Sequence, residues 1–416
     1  MSAGDNGNTT GWPATLGWSA YLACSWTWCI GMFLPVLLVR DYGIWGFVVF
    51  AVPNVLGAGA MGWVLRHRGA SEAIVARHGP AIAWFSRVTI AFQCVFLCWL
   101  IVSVVPHEST GRPGYAYAVV FAPAVVAMFC MLWATSSGRS MSLVRNASIV
   151  LLLGSAMAAA ALLMDSEPLS LHVPMVADTF GLAWFAPVCM FGFLACPYLD
   201  ITLHRARQSA PGAGGTAAFT IGFGVLFLAM LLFTLGYASR VLESTPWFAF
   251  VLAGPAGVAI LIHIMAQLSF TIGVHGRELR HLPERPYVRR ATNTAIVAVS
   301  LVLILTLEAT HAELSYGEIL YRCFMSFYGL VFPAYVWLVM IPTGDGHSGL
   351  RGESGRRKLR IWAFVVGVAA VMFWMGFIER DEVWLAPGLA IVLCARFVLP
   401  GRTRVRGGMR SGIRGR

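Results

Sequence analysis

The chain is 416 residues long, 58% hydrophobic and 12% charged, with a mean hydropathy of +0.72 and a net charge of +11. A soluble core cannot use that much apolar sequence, so composition points to an all-helical polytopic membrane protein and excludes a hidden soluble domain. The basic residues lie in short loops and a C-terminal tail without an interleaved aromatic surface, which excludes nucleic acid as a partner and leaves topology and anionic-lipid contact as their use.

Twelve apolar stretches follow one another, each close to the twenty or so residues that a hydrocarbon core requires. The first six are expected to run from Trp18 to Val39, Ile44 to Leu65, Ala81 to Val105, Tyr115 to Thr135, Ala147 to Met164 and Phe180 to Ile201. The second six are expected from Ala217 to Ala238, Trp247 to Gly273, Ala291 to Leu307, Ile319 to Ile341, Ile361 to Ile378 and Val383 to Leu399. With this assignment every Lys and Arg falls on one side of the membrane except Arg40, Arg112, Arg240 and Arg380 on the other and Arg87, Arg322 and Arg396 within spans. Positive charge stays cytoplasmic, so both termini are expected inside, in a bacterial inner membrane. No cleavable signal peptide is expected, because the first sixteen residues carry no Lys or Arg and the first apolar stretch is too long for a signal core.

The nine cysteines, Cys24, Cys29, Cys94, Cys98, Cys130, Cys189, Cys196, Cys323 and Cys394, all fall in expected spans and read as small packing residues. No His or carboxylate accompanies Cys94 and Cys98 at metal-ligand spacing, so neither a metal nor any other cofactor is expected. A membrane enzyme would need a nucleophile, a metal set or a paired acid and base, and no such motif is present. The chain is therefore not expected to be an enzyme.

Helix breakers concentrate in Cys29-Ile30-Gly31-Met32-Phe33-Leu34-Pro35 of span one and in the run from Pro187 to Pro197 of span six. Interrupted helices expose backbone groups that a membrane tolerates only where they line a cavity or pack against protein. Span one runs outward and span six inward, the relation between the first helices of two inverted five-helix repeats. The corresponding division of the single domain is 17–165 for the first repeat, 178–342 for the second, 360–400 for two additional helices and 401–416 for a basic cytoplasmic tail.

The segment Ser25-Trp26-Thr27-Trp28 followed by Gly31 and Leu34-Pro35, then Gly43, Gly57-Ala58 and Gly62-Trp63, resembles the first core helix pair of the sodium:solute symporters. More broadly it resembles the amino acid, polyamine and organocation superfamily with its leucine-transporter-like fold. The detailed likeness covers about fifty residues, and helix number and topology extend it over the chain. Two departures stand against it: only about sixteen residues precede span one, where many symporters have a further helix, and the paired hydroxyls of a sodium site are missing from span eight.

The resemblance implies a midplane substrate site between spans one and six, with spans three and eight as walls. The residues that fall there are Trp26, Thr27, Cys29 and Gly31, then Cys189, Phe191, Gly192 and Phe193, and the polar Gln93 of span three. Span eight places His263 and Gln267 nearest the family's ion position, with Ser269 beside them. A titratable or cationic residue replaces the ion in some sodium-independent relatives, which implies His263 as a proton-coupling group, the coupling ion being H+ or Na+. A neutral His263 bonded to Gln267 is the alternative. Asp200, at the cytoplasmic end of span six, reads as a gate with Arg205 or Arg87 as its partner, or as a solvated helix end. Arg322 reads as the partner of Glu308 in an outer ion pair, or as a site for a substrate carboxylate.

The expected function is that of a secondary, symporter-like transporter for a small neutral or zwitterionic organic solute. Its partners are that solute and the bilayer, and oligomeric state stays open. A non-transporting sensor or scaffold on a transporter core and a major-facilitator-type transporter are the alternatives.

Overall fold

The computed structural model describes residues 11–104, 114–165, 179–210, 212–244, 249–252, 254–283, 310–311 and 314–342, then 353–398, with scattered positions between 287 and 299. Most of the expected ninth span and the whole basic tail lie outside the described residues, as does Glu308. The principal helices are α1 (Trp12–Trp26), α2 (Cys29–Val64), α3 (Ala70–Val104), α4 (Gly114–Thr135), α5 (Met141–Leu163) and α6 (Thr179–Ala195). They are followed by α7 (Ile201–Ser209), α8 (Gly212–Glu243), α9 (Pro255–Leu279), α10 (Gly317–Met340), α11 (Glu353–Phe377) and α12 (Leu385–Val398). Among the described residues eight helices are long and apolar enough to cross a membrane, and the chain is an all-α multi-pass membrane protein.

Expected spans and observed helices differ in ways that matter for the site. Thirty-six residues of α2 would make a rod of about 54 Å, well beyond a hydrocarbon core of about 30 Å. It does not run straight. Gly43 has φ 63° and ψ −157°, a conformation that glycine adopts without a Cβ clash, and the helix folds back there. A Cβ placed on Gly46 would lie 2.4 Å from the carbonyl oxygen of Leu38, whereas eight residues of straight helix would separate them by about 12 Å. The residues before and after Gly43 therefore form the outer part of span one and all of span two. The end at Gly43 is called outer here, after the charge asymmetry.

Span one itself is interrupted between α1 and α2, at Thr27 (ψ 82°) and the extended Trp28 (φ −89°, ψ 179°). The break falls before the Gly31 and Pro35 that mark it in sequence; Pro35 is carried inside α2. In the sixth stretch α6 tightens into a 3-10 turn at Cys196–Leu199, Asp200 is extended (ψ 114°), and α7 continues to Ser209, eight residues past the expected end at Ile201. The eighth helix begins at Pro255 rather than Trp247, with proline at a first-turn position where its missing N–H costs nothing, and runs on to Leu279. That shift moves His263 into the outer third of α9 and brings His275 and Glu278 into the helix.

α2 packs along α6 and α8, and α1 packs on α5, α8 and α9. α9 is the most enclosed long helix, lying against α3, α4 and α5, while α11 and α12 pair with one another at the side of α6 and α10. One contiguous aromatic-rich core joins these elements, with Phe33, Phe92, Phe96, Trp99 and Tyr321 packed edge to face around the outer half of span one.

Candidate functional site

A helix break inside a membrane leaves amides and carbonyls that neighbours must satisfy. At Thr27–Trp28 four elements do so. The indole N–H of Trp26 donates to Asn54 Oδ1 at 2.7 Å from the span-two part of α2, and the indole of Trp28 donates to the Ser25 carbonyl at 2.6 Å. The Cys29 amide, at the start of α2, donates to Gln93 Oε1 of α3 at 3.1 Å. Tyr321 of α10 donates to the Cys29 carbonyl at 3.1 Å, and Tyr237 of α8 to that of Met32 at 2.6 Å. The Thr27 hydroxyl bonds back to the Ala23 carbonyl at 2.8 Å and lies 3.3 Å from the Met230 sulfur.

Gln93 carries much of this arrangement, because its carbonyl is the acceptor for a buried amide at a helix start. The variant Q93L is expected to lower the free energy of unfolding by about 1–3 kcal/mol, the cost of leaving such a donor unpaired. Chemical or thermal unfolding of the purified variant checks this; an unchanged midpoint would mean that the clamp is replaceable.

The second break is held differently. Asp200 Oδ1 caps α7, accepting from the Thr202 amide and hydroxyl, both at 2.6 Å, and from the Leu203 amide at 3.3 Å. Cys196 donates its thiol to the Tyr328 carbonyl at 3.4 Å, and the Tyr328 hydroxyl sits 3.0 Å from that of Thr89. The Trp28 ring, at the first break, packs against Tyr328, Phe85 and His275, so both interruptions share one aromatic wall.

Two cavities open between these elements. An outer cleft of about 640 Å3, counted to its mouth, lies between the outer half of span one, α6, α10 and α11, and is lined by Leu34, Tyr42, Cys189, Gly192, Phe193 and Tyr328. At its mouth stand Asp41 and Arg322. A smaller, narrow inner cavity lies at the breaks and is lined by Trp26, Trp28, Gly31, Asn54, Phe193 and Cys196, with Tyr328 again on its wall. Phe193 and Tyr328 border both cavities.

The mouth of the outer cleft is a charge network. Arg40 makes a two-bond pair with Glu318 at 2.7 and 3.0 Å and also bonds Asp41, while Arg322 reaches Asp41 at 2.8 Å and Glu318 at 2.9 Å. Arg380 adds a third cation 3.2 Å from Asp41, and the Tyr42 hydroxyl donates to Glu382 at 2.7 Å. On the inner side Arg205 of α7 bonds Glu278 of α9 at 2.7 Å.

The residues expected from sequence divide accordingly. Trp26, Gly31, Cys189, Gly192 and Phe193 line the cavities, and Cys29 and Gln93 form the clamp above. Phe191 does not line them; it turns to the edge of Trp337, because side chains two apart on a helix point to different faces. His263 is not bonded to Gln267. Its Nδ1 lies 2.8 Å from the Ser155 hydroxyl and its ring meets the edge of Phe233, while the Gln267 amide reaches the Met230 sulfur at 3.7 Å. Ser269 is buried on α9 away from both cavity linings. Arg205 pairs with Glu278, not Asp200, whose second oxygen faces His275 instead. Arg322 answers Asp41 and Glu318.

Tyr321, Tyr328, His275, Glu278, Asp41 and Glu318 are site residues that sequence reasoning did not select. The tyrosines gave a usable signal, since a phenol at depth needs a hydrogen-bond partner and so points to backbone left open by a break. Among the described residues no group of three His, Cys, Asp or Glu side chains is placed to hold a metal ion. No family model, curated protein or solved structure matches the chain.

Proposed function

We propose that the chain is a secondary transporter of a small neutral or zwitterionic organic solute, with a leucine-transporter-like arrangement of two inverted five-helix repeats followed by two further helices. The observation that carries this reading is the meeting of two helix breaks, Thr27–Trp28 and Cys196–Asp200, at one buried cavity walled by Trp28, Phe193 and Tyr328. Unwound backbone is costly at membrane depth, and discontinuous helices paired at a cavity are the arrangement by which transporters bind their substrates. The cavity offers indole and phenol faces, a carboxamide and backbone groups, with no charged side chain on its wall. Such a lining suits a neutral or charge-balanced solute.

Ionic contacts close both ends of this pathway: Arg40 to Glu318 on the outer side, Arg205 to Glu278 on the inner side. Alternating access requires that each end open in turn, and paired charges at helix ends are contacts that can be exchanged for water without unfolding the core. The bacterial inner membrane with both termini cytoplasmic fits the charge asymmetry of the loops.

Thermal unfolding of the purified protein with amino acids, nucleobases, sugars and vitamins, in sodium or choline buffer, tests the reading. A solute that binds the folded state raises the midpoint by mass action, about 2.7 kcal/mol at a hundred times its Kd. A hit from a neutral or zwitterionic class is the expected outcome. No shift under any condition would remove the transport reading and leave a sensor or scaffold.

A further inference from the structure

We infer that Asp200 and His275 together bind a single proton, and that this proton fastens the hinge of the sixth span to α9. The inference deepens the transporter reading and rests on it for its purpose, since it names the coupling ion of that pathway as H+ and places it away from His263.

Asp200 and His275 are both fully buried, and His275 Nε2 lies 3.6 Å from Asp200 Oδ2. Among the described residues that oxygen has no hydrogen-bond partner, and neither ring nitrogen of His275 has one. The other carboxylate oxygen is committed to capping α7. A buried carboxylate and a buried imidazole left unbonded are costly, and a proton placed between them answers both. With no proton, the pair is a neutral ring beside a carboxylate whose charge only the α7 cap answers; with two, it carries a net positive charge. One proton makes it either an ion pair or a neutral acid and base, and only that state leaves the buried site without net charge.

The surrounding charges do not replace this proton. Glu278 and Arg277 on α9 and Arg205 on α7 pair among themselves, at 2.7 Å for Arg205 to Glu278 and 3.7 Å for Arg277 to Glu278. His204 on α7 is occupied elsewhere, by the Ser71 hydroxyl of α3 at 2.8 Å and the Tyr198 carbonyl at 3.0 Å.

The placement gives the proton mechanical leverage. Asp200 is the extended residue at which α6 passes into α7, and His275 carries the edge of Trp28, the extended residue between α1 and α2. The pair thus ties both broken spans to α9 at the inner end of the smaller cavity. When imidazolium Nε2 gives its proton to an entering water molecule, the Asp200 charge is left without an answering charge. Water then solvates it only if α7 moves off α9. Protonation favours the closed inner side and proton loss favours its opening.

Cys196, buried four residues before Asp200, reports that opening. The full chain in inside-out vesicles would be treated with a membrane-impermeant maleimide from about pH 6 to about pH 9, with Cys196 modification read by mass spectrometry. Dividing each wild-type rate by that of Asp200→Asn at the same pH cancels the ionisation of the thiol itself. The expected ratio is about one at the acid end and then climbs about tenfold per pH unit, the slope of a single proton. In His275→Gln the climb is expected to begin at lower pH, because the carboxylate alone holds a proton less tightly than the pair. His263→Ala is expected to follow wild type.

A flat ratio overturns the inference, and so does a displaced curve for His263→Ala. Sodium that slows Cys196 modification at constant pH, as acid does, would assign the site to a metal cation and overturn the proton. Should Asp200→Asn fail to fold, the His275→Gln rate relative to wild type must rise above one at intermediate pH and return to one at the alkaline end; a constant value is equally adverse. The experiment uses no solute, so a negative ligand panel with a positive labelling curve would remove transport and leave the proton site standing.

Discussion

Replacing Gly57 by alanine is expected to cost about 2–3 kcal/mol of stability, and by valine to abolish accumulation of folded protein, because the site has no room for a side chain. A Cβ at Gly57 would lie 2.1 Å from the carbonyl oxygen of Phe193 and 2.9 Å from the Cα of Leu194. Both are backbone atoms, so no rotamer change can relieve the overlap; the span-two part of α2 and α6 must separate. That close approach positions Phe193, which borders both cavities and whose ring also meets Phe50 of α2 edge to face at 5.0 Å. Gly59, two residues on, supplies the control: an added Cβ there would meet only Phe223 Cβ, at an ordinary 3.7 Å. Its alanine variant should match wild type or gain slightly from reduced backbone freedom in the unfolded chain. Unfolding midpoints of the two alanine variants in one detergent check this pair, and equal midpoints would show that the helices are not held in backbone contact.

Hydropathy made most of the membrane spans legible, since each apolar stretch within the described residues coincides with a helix. Ends were less legible for a physical reason. Helices here continue past the apolar stretch into polar sequence wherever a partner covers them: α7 beyond Ile201 is amphipathic and buries Leu203, His204 and Arg207 against neighbours. α11 likewise begins at Glu353 and takes Arg356, Arg357 and Lys358 into a helix that hydropathy alone assigns to a loop. At the other extreme, α9 starts only at Pro255, where proline suits the first turn, although the apolar stretch begins earlier in the sequence.

The first break was legible to within a few residues, but its marker was misleading. Gly31 and Pro35 signal weakness in a helix, whereas the chain unwinds at Thr27–Trp28, where Asn54, Gln93 and Tyr321 supply replacement hydrogen bonds. Those partners come from three other segments of the chain, and spacing within one segment cannot disclose them. The same holds for polar pairs. Asp200 has Arg205 five residues away in sequence, but the capping role of its Oδ1 fixes the direction of the carboxylate toward α9, and Arg205 is drawn to Glu278. His263 stood out because it was the histidine nearest the expected midpoint of its helix; the later start of α9 removes that distinction and gives His275 the neighbour that His263 lacks.

Removing Glu318 is expected to loosen the mouth of the outer cleft more than any other single charge substitution. Its side chain is 3% exposed and answers Arg40 and Arg322 together, so Glu318→Ala leaves Arg40, Arg322 and Arg380 gathered around Asp41 alone. Truncating one member of a fully buried pair costs about 3–5 kcal/mol. Arg40 is 27% exposed and can partly recover its hydration, which brings the expected loss to about 2–3 kcal/mol. Substituting both partners, as in R40M/E318L, removes one charge of each sign and should restore at least half of that loss, since Arg322 and Arg380 then face Asp41 as before. Stability and opening separate in a second readout. Cys189, 5% exposed beneath the network, lines the cleft that the network closes. An impermeant maleimide applied from the outer side should modify it several-fold faster in Glu318→Ala than in wild type, and the excess should fall with the stability loss in the double variant. If the single variant loses less than about 0.5 kcal/mol and Cys189 reacts at the wild-type rate, the charges are a solvated surface cluster. The cleft would then need another closure, for which Tyr42, bonded to Glu382 and stacked on Phe185, is the next element to vary.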